Sequence, residues 1–396
     1  MDKKRTRITY LLVAGTLCLA AWAASAMPRV HGQPPKVLTP PEVIPPTPPT
    51  PPQVVNVPKV RPRIDVVFAL DTTGSMSGLI DGAKRKIWSI ASFIAQGDPK
   101  PELRVGLVAY RDKGDEYVTR FYDLSDDLDK VFERLNTFEA AGGGDTPEHV
   151  SKALSDAINR ASWSNEQAVL KQIYLVGDAP PHTDYNDGYD YRQLAKKAQS
   201  LNIHINTVRC GNDRQTQLVW TEISNLASGA YASIDQTGGM IAIATPYDDK
   251  LAELNSKLVN TAIGYGRYRG EVRSKTEAAM AAPASVAADR AGFFGKSGGG
   301  ALGGDGDLVR DMDNGKADPA AMPAAELPEA MRGLDADGRR KFVDEKRVER
   351  ERITGEINTI AKKRAAFMKG KNSADAFDAR VESTIKEQAA TLGVKY

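Results

Sequence analysis

The sequence predicts an α/β fold: a doubly wound, mainly parallel sheet with one antiparallel edge strand, followed by a C-terminal helical tail. Between residues 63 and 240, runs rich in Val, Ile and Leu alternate with amphipathic helical segments. Continuous apolar strands of this kind are typical of parallel sheets that helices cover on both faces. The strand-like segment 119–125 follows its predecessor after a loop too short for a helical crossover, so we expect it to be antiparallel.

The individual elements follow from composition and periodicity. The apolar run RIDVVFALD, residues 63–71, predicts a buried strand. The next segment predicts a helix because its apolar residues recur at helical spacing, at Leu79, Ala83, Ile87, Ile90 and Ile94. The other strands are expected at residues 102–112, 119–125, 171–180, 203–211 and 230–235. The other helices are expected at residues 128–138, 149–161, 191–202, 218–229 and 248–263.

The N-terminus predicts export. A basic start, MDKKRTR, precedes a short apolar core and the small residues Ala24-Ser25-Ala26, as in a cleavable signal peptide. Residues 1–26 are therefore expected to be a signal peptide or, if uncleaved, an N-terminal membrane anchor. Residues 27–62 hold more than half of the prolines and predict an extended linker. The expected location is periplasmic or extracellular, with an N-terminal membrane tether as the variant.

The chain beyond the alternating region predicts helices and linkers. Residues 241–273 are expected to form a helical neck, and residues 274–335, rich in Ala, Gly, Asp and Met, a loosely attached low-complexity linker. Residues 336–396 predict a charged helical tail. Its apolar stripe comprises Ile353, Ile357, Ile360 and Phe367. The tail is either a solvated helical hairpin or a surface for a partner or for self-association.

The composition limits the classes of function that we expect for this protein. The 396 residues carry a formal charge of only +2, which argues against a nucleic-acid partner. The only cysteines are Cys18 and Cys210, and Cys18 lies in the signal segment, so neither a disulfide framework nor a cysteine zinc site is expected. No catalytic signature is present, and we expect the protein not to be an enzyme. A zinc or acid/base role for His149 and His182 is the less favoured alternative to local hydrogen bonding.

Three loops carry oxygen ligands to the edge where the strands end. They are DTTGS with Asp71, Thr73 and Ser75, then GGGDTPEH with Thr146, and then VGD ending at Asp178. Ligands of open α/β sheets bind at the carboxyl ends of the strands. Hard oxygen donors suit Mg²⁺, with Mn²⁺ or Ca²⁺ as substitutes. Taken singly, the same residues are also typical helix caps; their combination on one edge favours a metal site.

The three motifs, in this order, resemble the metal-ion-dependent adhesion site of the von Willebrand factor type A (VWA) domain, a Rossmann-like fold, in an exported bacterial form. The resemblance covers residues 63–240. It implies a cation held by Asp71, Thr73, Ser75, Thr146 and Asp178 that captures an acidic side chain of a partner protein. The expected function is therefore an exported, metal-dependent adhesion or scaffold module. The alternative is a structural envelope spacer that acts through its C-terminal helices without a functional metal site.

Overall fold

The sheet contains six strands. In the computed structural model, the described residues are 61–144, 146–166, 168–234, 244–296, 300–371 and 376–396. The strands are β1 (Arg63–Asp71), β2 (Glu102–Tyr110), β3 (Thr119–Ser125), β4 (Val169–Gly177), β5 (Ile203–Cys210) and β6 (Tyr231–Ile234). They lie in the order β3-β2-β1-β4-β5-β6. Every pair is parallel except β2 and β3. The predicted doubly wound sheet with one antiparallel edge strand is confirmed.

Helices cover both faces of this sheet. Those of the alternating region are α1 (Ile80–Ile94), α2 (Leu128–Asn136), α3 (Val150–Arg160), α4 (Tyr191–Ser200) and α5 (Arg214–Leu226). Those that follow are α6 (Asp248–Val259), α7 (Arg269–Ala281), α8 (Ala284–Lys296), α9 (Leu308–Asp313), α10 (Glu329–Arg332), α11 (Ala336–Lys371) and α12 (Ala376–Ala390). The signal segment and all but the last two residues of the proline-rich segment lie outside the described residues.

Alternating side chains of β1 separate two apolar cores. Val67 and Ala69 face α3, α4 and α5, in a core that includes buried Trp220. Ile64, Val66, Phe68 and Leu70 face the other way, toward α1, α2 and the helices of the C-terminal half. Burial on both sides explains why β1 is an unbroken apolar run, since a strand with one solvated face would alternate.

The C-terminal half is helical where the sequence predicts a helical neck and tail, and it packs on the sheet domain. Residues 274–335 contribute the second half of α7, all of α8 to α10 and buried apolar side chains, Phe293 and Phe294 among them, in place of the loosely attached linker that the sequence predicts. Alanine has the highest helix propensity, and its small side chain lets helices pack closely. The alanine-rich composition of residues 274–335 therefore resembles that of a low-complexity linker, although the segment forms packed helices.

The charged helix α11 also belongs to the core. Val343, Ile353 and Ile357 are fully buried, and Ile353 and Ile357 join the core that contains α1 and β1. Buried ion pairs fasten the C-terminal half further: Arg290 pairs with Asp129 of α2 at 2.8 Å, and Arg350 pairs with Asp307 at 2.8 Å. Part of the apolar stripe predicted for the tail, Ile353 and Ile357, therefore packs within the protein's own core.

All described residues belong to a single compact unit. Among them, we find no helix with the length and apolar character that a membrane span requires.

Candidate metal site

The candidate site lies where the sheet changes its winding direction. From β1 the chain crosses to β2 on one side, whereas the strands after β4 are added on the other side. Asp71 is the last residue of β1, and Asp178 directly follows β4, its neighbour in the sheet. Loops diverge at such a switch point and leave a crevice, where open α/β sheets bind ligands.

Four of the five predicted ligands form two hydrogen-bonded pairs, Asp71 with Thr73 and Ser75 with Asp178, which meet at their hydroxyl oxygens. Oδ1 of Asp71 accepts bonds from the backbone amide of Thr73 at 2.9 Å and from its hydroxyl at 2.6 Å. The hydroxyl oxygens of Thr73 and Ser75 lie 3.1 Å apart. Ser75 donates to Oδ1 of Asp178 at 3.0 Å. The first and third loops therefore converge as the sequence predicts.

The directions of the two hydroxyl protons explain why the oxygens of Thr73 and Ser75 are suited to binding a cation. Each hydroxyl has a single proton. With the proton of Thr73 given to Asp71 and that of Ser75 given to Asp178, the two hydroxyl oxygens face each other with lone pairs only. Thr73 precedes the short 3₁₀ turn Gly74–Gly78, yet its side chain makes no capping bond there. Helix capping, the alternative interpretation of this motif, is not how the Thr73 hydroxyl is used.

Burial leaves carboxylate oxygens without partners at this site. Asp71 is 0% exposed, and its Oδ2 has no hydrogen-bond partner among the described residues. Burial and then the negative charge of Asp178 raise the pKa of Asp71 to about 7. Burial is also the main cause that raises the pKa of Asp178. A buried acceptor without a donor is costly unless a proton or a cation satisfies it.

Gly177, the last residue of β4, allows this crowding. A Cβ atom at this position would lie 2.3 Å from the hydroxyl of Tyr110 and 3.0 Å from Oδ2 of Asp71. Tyr110 in turn donates a 3.3 Å bond to the carbonyl of Val176. Only glycine permits the end of β4 to pass so close to the Asp71 carboxyl group.

The second loop offers a second candidate beside the predicted Thr146. Thr146 is exposed, and its role as a ligand stays a prediction. Glu148, two residues later, is 2% exposed, and its Oε2 has no hydrogen-bond partner within the described ranges. Burial raises the pKa of Glu148 to about 9, followed by the charges of Asp71, Asp112, Asp115 and Asp178.

Glu148 is therefore the functional candidate that sequence reasoning missed. Its carboxyl group reaches toward the first loop: a Cβ placed on Gly143 would lie 3.3 Å from Oε1 of Glu148 and 3.2 Å from Cβ of Thr73. The available signal was an acidic residue directly after Thr-Pro in a loop already assigned to the site. The motif alone does not single out this residue, because an acidic residue before a helix is ordinarily explained by the helix dipole.

The two histidines lie beside the site and bond to acidic residues. His149 contacts Oδ2 of Asp187 at 2.9 Å, and Nδ1 of His182 contacts Asp184 at 2.8 Å. The rings of His182 and Tyr185 stack with centroids 4.0 Å apart. Across the described part of the chain, no group of three or more His, Cys, Asp or Glu side chains has the arrangement of a metal site. Any cation at the strand ends therefore depends on hydroxyl oxygens together with carboxylates.

The donors present fit a hard divalent cation. They comprise the hydroxyl oxygens of Thr73 and Ser75 and the carboxylates of Asp71 and Asp178. Asp71 and the buried Glu148 of the second loop each carry an oxygen without a hydrogen-bond partner among the described residues. Oxygen donors of this kind suit Mg²⁺, Mn²⁺ or Ca²⁺.

Comparison with known proteins shows which family the sheet domain is similar to. Residues 65–246 match the family model for the von Willebrand factor A domain. The mouse von Willebrand factor A domain-containing protein 7 is 33% identical over 122 residues, which are 31% of this chain, and its human counterpart is 31% identical over the same length. A putative ariadne-like RING finger protein of Acanthamoeba polyphaga mimivirus is 25% identical over 126 residues. The match spans only 12% of the length of each of these relatives.

Solved structures with a similar fold include BatB from Bacteroides thetaiotaomicron, with 17% identity over 43% of this chain and 90% of that one, and a TM-score of 0.33. The SpRpn10 VWA domain is 15% identical over 45% of this chain and 91% of that one, with a TM-score of 0.34. The family-model match and the order of the strands in the sheet both support a von Willebrand factor A domain at residues 65–246 of this chain.

Proposed function

We propose that the protein is a binding module that holds a divalent cation, most suitably Mg²⁺, at the crevice between β1 and β4 and uses it to capture an acidic side chain of a partner protein. The observation that carries the proposal is the buried carboxyl group of Asp71. Its free oxygen has no described partner and its pKa is about 7, a state that a bound cation would relieve.

The residues would contribute different kinds of ligand to the ion. Asp71 and Asp178 supply negative charge, while Thr73 and Ser75 supply neutral oxygens, so the first and third loops alone balance a charge of +2. Glu148, whose pKa is about 9 in the absence of the ion, adds a third carboxyl group from the second loop. When bound, the cation would supply Lewis acidity toward an incoming oxygen ligand.

The exposure of the site sets the direction from which a partner would approach. Asp71 and Thr73 are buried, whereas Ser75 and Thr146 are exposed. Donors on the inner side leave an outer coordination position for a ligand from solvent. A carboxylate is the oxygen donor that best matches a divalent ion, so we propose an acidic residue as the partner's contact.

We further propose that this module acts outside the cytoplasm, in the periplasm or extracellular space. The support is the basic, apolar and small-residue pattern of the first 26 residues and the proline-rich segment behind it. Intact mass and N-terminal sequencing of the protein recovered from the envelope fraction test this part, and an unprocessed chain confined to the cytoplasm would contradict it.

Metal-dependent capture is tested with the immobilised full-length protein and an envelope extract in Mg²⁺. We expect partner proteins to remain bound in Mg²⁺ and to elute with EDTA, and we expect Ser75→Ala to retain much less of them. Ser77→Ala, an exposed serine two residues away, is the matched control. Retention that EDTA and Ser75→Ala leave unchanged would contradict the proposal.

A further inference from the structure

Arg111 joins the first and second loops of the candidate site. It follows β2 directly and is 5% exposed. Its Nε donates a 3.0 Å bond to the carbonyl of Thr72 in the first loop. Its second terminal nitrogen donates a 2.9 Å bond to the carbonyl of Glu139 in the second loop. A single guanidinium group thus bridges two segments that are 67 residues apart in the sequence (139 minus 72).

The carbonyl of Thr72 also takes part in backbone hydrogen bonds that pair the first and second loops directly. The amide of Ala141 donates to the carbonyl of Thr72 at 3.0 Å, and the amide of Gly74 donates to the carbonyl of Gly142 at 3.0 Å. Thr72 and Gly74 flank Thr73, whose hydroxyl belongs to the candidate site. The bonds of Arg111 and this pairing therefore fix the path of the backbone on both sides of Thr73.

Tyr117 holds the guanidinium group in this position. Its ring lies under the guanidinium carbon of Arg111 at 4.4 Å, a distance typical of a cation–π contact. Its hydroxyl lies 2.8 Å from the hydroxyl of Thr72, which also bonds to the carbonyl of Tyr110 at 2.9 Å. The carboxylate nearest to Arg111 that the structure records, on exposed Glu116, is 3.5 Å away. The charge of Arg111 is therefore satisfied mainly by carbonyl groups and an aromatic ring.

We propose that Arg111 is a positioning residue for the cation site: it locks the first loop to the second and so sets the affinity for the cation without contacting it. This inference rests on the proposed function. Its reason is geometric, because a guanidinium group is a rigid planar fork that can serve two carbonyls at once. Lysine keeps the charge but offers a single ammonium group on a flexible stem.

The test compares Arg111→Lys with a matched control, Arg104→Lys. Arg104 also makes a forked contact, with Asp65 at 2.9 and 2.7 Å, but at the opposite end of β1. Six residues of strand place that contact about 20 Å from Asp71. Titration calorimetry of the full-length proteins with Mg²⁺ gives the cation affinity, and urea unfolding of the metal-free proteins gives the stability.

We expect Arg111→Lys to bind Mg²⁺ about 10- to 100-fold more weakly, as is usual when a group that orients metal ligands is lost. Arg104→Lys should lose stability and keep the wild-type affinity. In the metal-free proteins, the amides of Ala141 and Gly74 should exchange faster in Arg111→Lys only. A purely structural role would lower the stability of both variants and leave the affinity of both unchanged.

Wild-type affinity in a folded Arg111→Lys variant overturns this inference and leaves the proposed function intact. If that variant does not fold, Tyr117→Leu provides the test, because it removes the ring and the hydroxyl from a half-buried position and leaves Arg111 in place. Unchanged Mg²⁺ affinity of Tyr117→Leu would overturn the inference in the same way. If the wild type itself binds no Mg²⁺, the inference and the proposed function both fail.

Discussion

The hydroxyl of Ser75 donates a 3.0 Å hydrogen bond to the carboxylate of Asp178, although 103 residues separate them along the chain. This contact joins the loop after β1 to the loop after β4, the two neighbouring strands at which the sheet changes direction. It places a neutral oxygen next to a carboxylate at the solvent side of the candidate site.

Ser75→Ala removes one neutral oxygen donor from an exposed position. We expect the affinity for Mg²⁺ to fall by about tenfold or more, since a lost ligand should cost at least as much as a lost orienting group. The free energy of unfolding without metal should change little, because surface substitutions usually cost within about 0.5 kcal/mol. Calorimetry and urea unfolding measure the two quantities. Ser77→Ala is the control, and equal affinities of the two variants would contradict the assignment of Ser75.

Glu148→Gln tests Glu148 against Thr146 as the ligand that the second loop supplies. The carboxyl group of Glu148 has a pKa of about 9, so it is protonated at pH 7 without metal and glutamine imitates that form. We therefore expect unchanged stability of the metal-free protein and a weaker affinity for Mg²⁺. Glu139→Gln makes the same substitution at an exposed position before the same helix and should leave the affinity unaltered. A Glu148→Gln variant with wild-type affinity, alongside a weakened Thr146→Ala, would restore the original prediction.

The raised pKa values of Asp71 and Glu148 predict a specific pH dependence. Both carboxyl groups hold their protons more tightly in the folded, metal-free protein than in the unfolded chain. Their contribution to stability is thus fully present below about pH 4 and is lost as the pH rises through about 7 and then about 9. Because Mg²⁺ must displace these protons, its affinity should rise over the same range.

The measurement is urea unfolding and Mg²⁺ titration between pH 5 and pH 9, compared with an Asp71→Asn, Glu148→Gln double variant. The double variant lacks both groups, so the difference between the two proteins isolates them from other titrations. We expect the stability of the wild type relative to the double variant to decrease with pH in the absence of metal. If this relative stability increases with pH, or if the Mg²⁺ affinity does not depend on pH, the pKa values of these two carboxyl groups are not raised.

Ile353→Ala tests whether α11 is part of the domain core. Ile353 is 0% exposed, whereas Val348 on the same helix is 65% exposed. Truncation of a buried Ile costs roughly 2–5 kcal/mol, and Val348→Ala should cost less than about 0.5 kcal/mol. Both are measured as free energies of unfolding of the full-length protein. Equal, small losses would indicate a tail that folds separately from the sheet domain.

The sequence was sufficient to predict the sheet and the first and third loops because both depend on local patterns. A buried strand that ends in Asp71 or at Asp178 places that carboxylate at the carboxyl edge of a parallel sheet, whatever the rest of the chain does. The second loop depends on tertiary structure instead. Whether Thr146 or Glu148 faces the site is decided by pairings such as the 3.0 Å bond from the amide of Glu148 to the carbonyl of Pro180, which no local pattern reveals.

The C-terminal half shows the same limit on a larger scale. The apolar residues of α11 are widely spaced among charged ones, and the segment before it is dominated by alanine and glycine. Its packing on the domain includes buried long-range ion pairs such as Arg290 with Asp129, 161 residues apart. Periodicity reports how a helix is patterned but not which surface it covers, so docking on the domain could not be predicted.

The most direct test of the central claim is a calorimetric titration of Mg²⁺ into the full-length wild type and Asp71→Asn. Asparagine preserves the oxygen that accepts both bonds from Thr73 and removes only the charge, so the fold should persist and the metal-free protein should be at least as stable. We predict a single saturable site in the wild type and none in the variant. Equal Mg²⁺ binding by both proteins would contradict a cation held between β1 and β4.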